Sequence, residues 1–333
     1  MAYENGVLVY GEAKDGRLLS ITGELLNVGR QLADSLGQPL SAALIGEGTA
    51  ELAQEAIALG ADKVFVVDDA IFAEYLHDLH VPAAVNVAKE VDPYIILAGQ
   101  TASGRDLAPH LAFHLDTGIA IDCTALEIDS STNRMRATRP FSGGNFRQVI
   151  GVKTQPQMAT IRSKAIDGAA PDTSRTGEVV NVNHGVDASQ SRMKFIESKP
   201  IESEGVRLED ADVVVSGGRG IGGPEGFEGL EDLAAIFDGG AVGGSRAATD
   251  SGFTAPERMV GITGVIVAPN LYMAIGISGA SQHLAGCGGA KTIVAINTDE
   301  EAQIFGSSSF GVVGDYKQVV PAFAEEVKKL LQG

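Results

Sequence analysis

The sequence predicts an α/β protein of two doubly wound domains. Three observations predict it. From residue 7 to residue 115, short apolar runs alternate with segments of helical spacing. The same alternation restarts at Asp212 and runs to the end of the chain. Between them, residues 167–209 are rich in Gly, Asp, Ser and Pro, the composition of a linker. A chain of 333 residues fits about two domains, and we place them at residues 1–200 and 201–333.

The first domain opens with a strand at Val7 to Tyr10. Ile21, Leu25, Val28, Leu32 and Leu36 then keep helical spacing. Strands follow at Ala42 to Ile45, Lys63 to Val67 and Tyr94 to Ala98. The helices between and after them are Glu51 to Leu59, Val81 to Glu90, and one carrying Leu107, Leu111 and Leu115. Alternation of this kind implies a parallel sheet with right-handed crossovers. From Ile119 the helices stop. Ile119 to Ile128, Arg134 to Thr138, Arg147 to Val152 and Met158 to Arg162 read as strands, an antiparallel addition to that sheet. They carry a basic stripe of Arg134, Arg136, Arg139, Arg147, Lys153, Arg162 and Lys164. It is either a solvated strand face or a surface for an acidic partner. Further strand-like pieces fall at Glu178 to Val182 and Met193 to Ile196.

The second domain has strands at Asp212 to Val215, Ala241 to Val242, Val265 to Val267, Leu271 to Ile275, Thr292 to Ile296 and Gly311 to Val313. Leu230 to Phe237 is helical, and a last helix starts at Pro321.

Composition narrows the function. Hydrophobic residues make up 44% and charged residues 20%, so each domain can bury a core. Lys plus Arg number 25 against 43 Asp plus Glu, and a net charge of -18 repels nucleic acid. Cys123 and Cys287 form neither a CxxC nor a metal spacing and are expected to be reduced. The amino terminus shows no signal or transit pattern. No apolar run approaches the roughly 20 residues of a membrane helix, so no membrane insertion and a cytoplasmic location are expected.

In the second domain, polar residues collect where strands end. Arg219 follows the first strand, and Ser245 and Arg246 the second. Thr263 precedes the third, Ser278, Gln282 and His283 follow the fourth, Asn297 the fifth and Asp315 the last. Donors and acceptors at so many strand ends point to one large polar ligand along the sheet edge. Gly218 to Gly223 matches GxGxxG, but the next strand ends in Gly-Gly-Ser-Arg where a nicotinamide site has an acid. Arg246 suits an anionic group, or else pairs with Asp250. His283 is either a structural histidine or a donor toward negative charge on the ligand. His110 and His114 have metal spacing but no evident third ligand, and a structural role is expected. No Ser-His-Asp or Cys-His arrangement can be argued.

The motifs VSGGRG from Val215, VGGSRAATDSG from Val242, VGITG from Val260, LYMAIGISGASQHLAG from Leu271, KTIVAIN from Lys291 and FGVVGD from Phe310 resemble the alpha subunit of electron transfer flavoproteins. AGQTASGRDLAPHLA from Ala98 resembles the same family. The resemblance implies a nucleotide-alpha-hydrolase-like first domain and a Rossmann-like, FAD-binding second domain. It implies FAD contacts from Arg219, Ser245, Arg246, Val260, Gly261, Ile262, Thr263, Ser278, Gly279, Ala280, Ser281, Gln282, His283, Asn297, Asp315 and Tyr316. Thr263 is expected near the flavin N5 and His283 near N1 and the C2 carbonyl. Arg246 is expected against the isoalloxazine, with Asn297 and Asp315 on the adenosine half.

The family implies an electron carrier rather than a substrate-converting enzyme. It implies a beta subunit holding AMP or a second FAD, and donors such as acyl-CoA or other flavin dehydrogenases. The implied acceptor is a membrane quinone oxidoreductase or a ferredoxin-linked protein, and electron bifurcation stays open. Such a protein tunes the cofactor with fixed charge and donors and needs no acid, base or nucleophile. The chain departs from the family at Ile262, often Gln, at Ser281, often aliphatic, and at Cys287, often Met. An NAD(P)-binding oxidoreductase domain is the alternative, and a nucleotide-binding scaffold a third.

Overall fold

A computed structural model of the chain describes residues 5–141, 146–198 and 205–332. The chain divides into two compact units. The first comprises residues 1–140 and 147–198, and the second residues 141–146 and 199–333.

The first unit holds strands β1 (Val7–Gly11), β2 (Ala13–Lys14), β3 (Arg17–Leu18), β4 (Leu40–Gly46), β5 (Lys63–Asp68), β6 (Ile95–Gly99), β7 (Ile119–Cys123), β8 (Ala125–Asp129), β9 (Arg134–Phe141), β10 (Phe146–Gly151), β11 (Gln157–Ile161) and β12 (Glu178–Asn181). Its helices are α1 (Ser20–Leu36), α2 (Ala53–Ala58), α3 (His77–Val91) and α4 (Ala102–His114). Seven strands form one sheet in the order β12-β5-β4-β1-β6-β11-β7, and the paired strands run parallel. Strand β1 explains the layering. Val7 and Val9 face one core with α1 and α2, while Leu8 and Tyr10 face the other with α3 and α4. Period-two alternation in a sheet covered on both faces makes every position apolar.

The segment after Ile119 is more divided than its sequence suggests. The run Ile119 to Ile128 breaks at Thr124 into β7 and β8, where Asp122 takes a positive φ of 62°. β7 and β11 join the parallel sheet, whereas β8, β9 and β10 form a separate three-stranded sheet, with β8 and β9 antiparallel. The basic stripe is partly consumed locally. Arg162 makes a two-pronged pair with Asp122 at 2.6 and 2.8 Å, Arg134 donates to the Val152 carbonyl, and Arg136 lies 3.6 Å from Glu127. Met193 to Ile196 forms no strand.

The second unit holds β13 (Val213–Gly217), β14 (Gly240–Gly244), β15 (Leu271–Ile275), β16 (Thr292–Asn297) and β17 (Phe310–Val313), with α5 (Glu225–Ala234), α6 (Arg246–Asp250), α7 (Ser281–Cys287) and α8 (Tyr316–Gln332). The sheet order is β14-β13-β15-β16-β17, all parallel. In β15, Tyr272 and Ala274 point to the core shared with α7, and Met273 and Ile275 to the core shared with α5 and α8. Val265 to Val267 is no ladder strand; only a single bridge, Val260 to Val265, forms there. The last helix begins at Tyr316, not Pro321, because the Asp315 carboxylate accepts the Lys317 amide at 2.9 Å and caps an earlier start. Among the described residues no helix is long and apolar enough to cross a membrane.

Candidate functional site

Chain order reverses between β13 and β15, since β14 adds on one side of β13 and β15 on the other. Such a switch point leaves a crevice beyond the carboxyl ends of the two strands. Here the crevice is closed at its base by backbone alone. The Gly218 amide donates to the Ile275 carbonyl at 2.8 Å and the Gly220 amide to the Gly276 carbonyl at 3.1 Å. A Cβ on Gly218 would lie 2.1 Å from the Gly276 oxygen, so the GxGxxG segment serves close approach of two loops.

Above this base lies a cleft of about 710 Å³, a volume within the range of small-molecule and cofactor sites. Arg219, Ser245, Arg246, Val260, Gly261, Ile262, Thr263, Ser278, Ala280, Gln282, His283 and Asn297 line it. Gly220, Ala247, Asp250, Met259, Gly276, Ile277, Asp299 and Ala302 complete the wall. Arg219, Arg246, Thr263 and Ser278 are exposed in it. Arg246 also contacts Asp250, Nε to carboxylate, at 3.4 Å, and both side chains stay largely in solvent.

Other members are held by the fold. Ser245 caps α6, its hydroxyl accepting the Ala248 amide at 3.2 Å. The loop from Val260 to Gly264 is tied to β14 through Val260 N–H to the Gly244 carbonyl, 2.8 Å. It is tied to α7 through Ile262 N–H to the Gln282 carbonyl, 2.9 Å. Asn297 donates to the Ile277 carbonyl at 2.9 Å and accepts the Asp299 amide at 3.0 Å, so its side chain fixes the loop after β15.

Gly279, Ser281, Asp315 and Tyr316 are not among the lining residues. Gly279 has φ +87°, and a Cβ there would meet the Ile304 amide at 2.2 Å; it shapes the loop from behind. Asp315 caps α8, and the Tyr316 hydroxyl donates to the Ile221 carbonyl at 2.9 Å.

His283 is buried. Its Nε2 lies 2.8 Å from the Tyr272 hydroxyl, and its Nδ1 is buried with the Val260 backbone beside the ring. Burial pushes its pKa down to about 4, so the imidazole is neutral at neutral pH. Tyr272 is fully buried, and the Cys287 thiol and Ser216 hydroxyl lie beside its phenol. Burial raises the Tyr272 phenol well above its ordinary value and pushes the Cys287 thiol up to about 12, so both stay protonated. Tyr272, Ser216 and Cys287 escaped the sequence reading as site residues. One signal was available: a buried Tyr on a strand needs a partner for its hydroxyl.

The donor set fits FAD. Two guanidinium groups on the wall suit an anionic dinucleotide. The exposed Thr263 and Ser278 hydroxyls and the glycine-lined base suit a flat, hydrogen-bonding ring system. No acid ends β14, as an NAD ribose would require.

Comparison with known proteins agrees. The electron transfer flavoprotein domain family matches residues 7–186, and the electron transfer flavoprotein FAD-binding domain family matches residues 207–288. The electron transfer flavoprotein subunit alpha of Thermoanaerobacterium thermosaccharolyticum is 42% identical over 97% of this chain and 98% of its own. That of Megasphaera elsdenii is 41% identical over 99% and 98%. Protein FixB of Clostridium saccharobutylicum is 38% identical over 98% and 97%. This chain belongs to the electron transfer flavoprotein alpha subunit family, and its carboxyl-terminal unit binds FAD.

Proposed function

We propose that the chain is the alpha subunit of a heterodimeric electron carrier. It takes electrons from acyl-CoA or other flavin dehydrogenases and passes them to a quinone- or ferredoxin-linked acceptor. Its partner is a beta subunit holding AMP or, in a bifurcating pair, a second FAD. The observation that supports this reading is the switch-point cleft, walled by Arg219, Arg246 and the neutral His283. Bound FAD supplies the one- and two-electron chemistry.

The residues supply binding and electrostatics. Arg246 provides fixed positive charge where the reduced cofactor gains negative charge. His283 lines the cleft as a neutral ring and adds no charge of its own. Val260 to Thr263 present a loop whose backbone is held at both ends. Ile262, exposed in the cleft, brings an apolar side chain to its wall. Asp315 and Tyr316 contribute through α8 and the loop before it rather than through the cleft wall.

The test is co-expression with the cognate beta-type subunit, followed by a visible spectrum and flavin quantitation. One FAD per pair supports a simple carrier with AMP in the partner. Two FAD per pair, with reduction by NADH, support bifurcation. A folded pair that takes up no supplied FAD overturns the reading.

A further inference from the structure

The amino-terminal unit carries a side-chain cluster that electron transfer does not use. Asp106 and His110 stand four residues apart on one face of α4, and His77 is the first residue of α3. The rings of His77 and His110 lie 4.7 Å apart at 33°. His77 Nδ1 is 4.0 Å from one Asp106 carboxylate oxygen, and His110 Nδ1 is 3.8 Å from the other. One ligand atom from each of the three lies within 4.8 Å of the other two. The sequence pairs His110 with His114, but the fold pairs it with Asp106 and His77 instead; helix packing brings in the third ligand.

The surroundings have the form of an outer coordination shell. Metal-bound imidazoles direct their other nitrogen at a carbonyl or carboxylate. His110 Nδ1 lies 2.8 Å from the Asp106 backbone carbonyl, which leaves its Nε2 lone pair free. His77 Nε2 lies 3.2 Å from the Asp78 carboxylate, which leaves Nδ1 toward Asp106. Asp78 is itself fixed, accepting the backbone amide of Arg192 at 2.8 Å. The Tyr75 hydroxyl donates to one Asp106 oxygen at 2.7 Å and orients the carboxylate.

We propose that His77, His110 and Asp106 bind a divalent first-row transition metal of the zinc class, with water completing the shell. Two imidazoles and one carboxylate suit such an ion, whereas magnesium and calcium require more oxygen ligands. Zinc–ligand bonds of about 2.0–2.2 Å place ligand atoms roughly 3.5 Å apart in a tetrahedron. The cluster therefore closes by about 1 Å, through side chains that are 33–44% exposed and have room to turn. A bound ion would clip the start of α3 to the middle of α4.

The test is calorimetric titration of the full, FAD-loaded chain, first stripped with a chelator, with zinc chloride and with magnesium chloride as control. One saturable zinc site per chain is expected, with no magnesium binding. His77→Asn or His110→Asn should weaken zinc binding at least tenfold, and Asp78→Asn by about tenfold through the outer shell. His114→Asn, on the same helix but outside the cluster, should bind as wild type. Circular dichroism and FAD content, equal across the set, report intact folding. Intense visible bands on cobalt substitution, lost in His77→Asn, give a second readout of tetrahedral ligation. Absence of saturable zinc binding overturns the site. So does a His114→Asn loss equal to that of His110→Asn, which marks adventitious binding by surface imidazoles.

Discussion

The Tyr272 hydroxyl lies 2.8 Å from His283 Nε2, deep in the core beneath the switch-point cleft. A buried phenol is stabilised by donating its proton to a good acceptor. Of the groups beside it, the imidazole nitrogen is the strongest acceptor, ahead of the Ser216 hydroxyl and the Cys287 sulfur. Donation to Nε2 places the proton of the neutral ring on Nδ1. Tyr272 thereby makes His283 a donor through its second nitrogen, and the ring needs no positive charge to act as one.

Tyr272→Phe removes this constraint. Nitrogen NMR of the histidine-labelled chain should show an Nδ1–H tautomer for His283 in the wild type and a tautomer mixture in the variant. The unpaired nitrogen should cost about 1–3 kcal/mol of stability in the carboxyl-terminal unit. An unaltered tautomer would reject the role assigned to Tyr272.

Protonation of His283 sets an acid limit. Above about pH 6.5 the imidazole is neutral in both folded and unfolded chains. Below it, the unfolded chain takes a proton that the folded chain resists until about pH 4. Stability of this unit should therefore fall as pH drops from about 6.5 to about 4, by at most about 1.4 kcal/mol per pH unit. Denaturant titrations of wild type and His283→Gln across this window check it; the variant should show the shallower slope.

Glu24 gives the opposite sign in the amino-terminal unit. It is buried on α1, accepts the Lys164 amide at 2.7 Å, and burial raises its pKa to about 7 from 4.5. The folded chain keeps this proton where the unfolded chain has lost it. Stability should fall as pH rises from about 4.5 to about 7 and level off above, again by at most about 1.4 kcal/mol per pH unit. Glu24→Gln keeps the acceptor for Lys164 and should be more stable than wild type at pH 8.

Arg246→Ala removes a fixed charge from the cleft wall and should lower the FAD reduction potential or release the cofactor. Arg246→Lys should recover part of the loss, because it restores charge without the planar fork. A redox titration with unchanged midpoints would remove Arg246 from cofactor tuning.

Ile262→Gln should raise the FAD potential by tens of millivolts. It adds a donor at an exposed position in the cleft wall, and a donor close to a reduced flavin stabilises its negative charge. A potential equal to wild type would show that the side chain turns to solvent.

Much of this protein was legible in its sequence. Apolar runs of five or so residues, alternating with helical spacing, specify parallel sheets because a strand covered on both faces must be apolar throughout. The segments from Gly218, Gly243, Val260 and Ser278 could be read as one site because the carboxyl ends of parallel strands meet at one edge. The fold alone decided the rest. Tyr272 reads as an ordinary core residue until α7 packs His283 against its hydroxyl. Asn297 and Ser245 look like free ligand contacts in sequence, yet nearby backbone groups claim their side chains. His77 and His110 are 33 positions apart, and only the packing of α3 on α4 makes them neighbours. Periodicity and turn chemistry are local and survive in one dimension. The pairing of a buried donor with its acceptor depends on which surfaces meet, and no spacing along the chain encodes that.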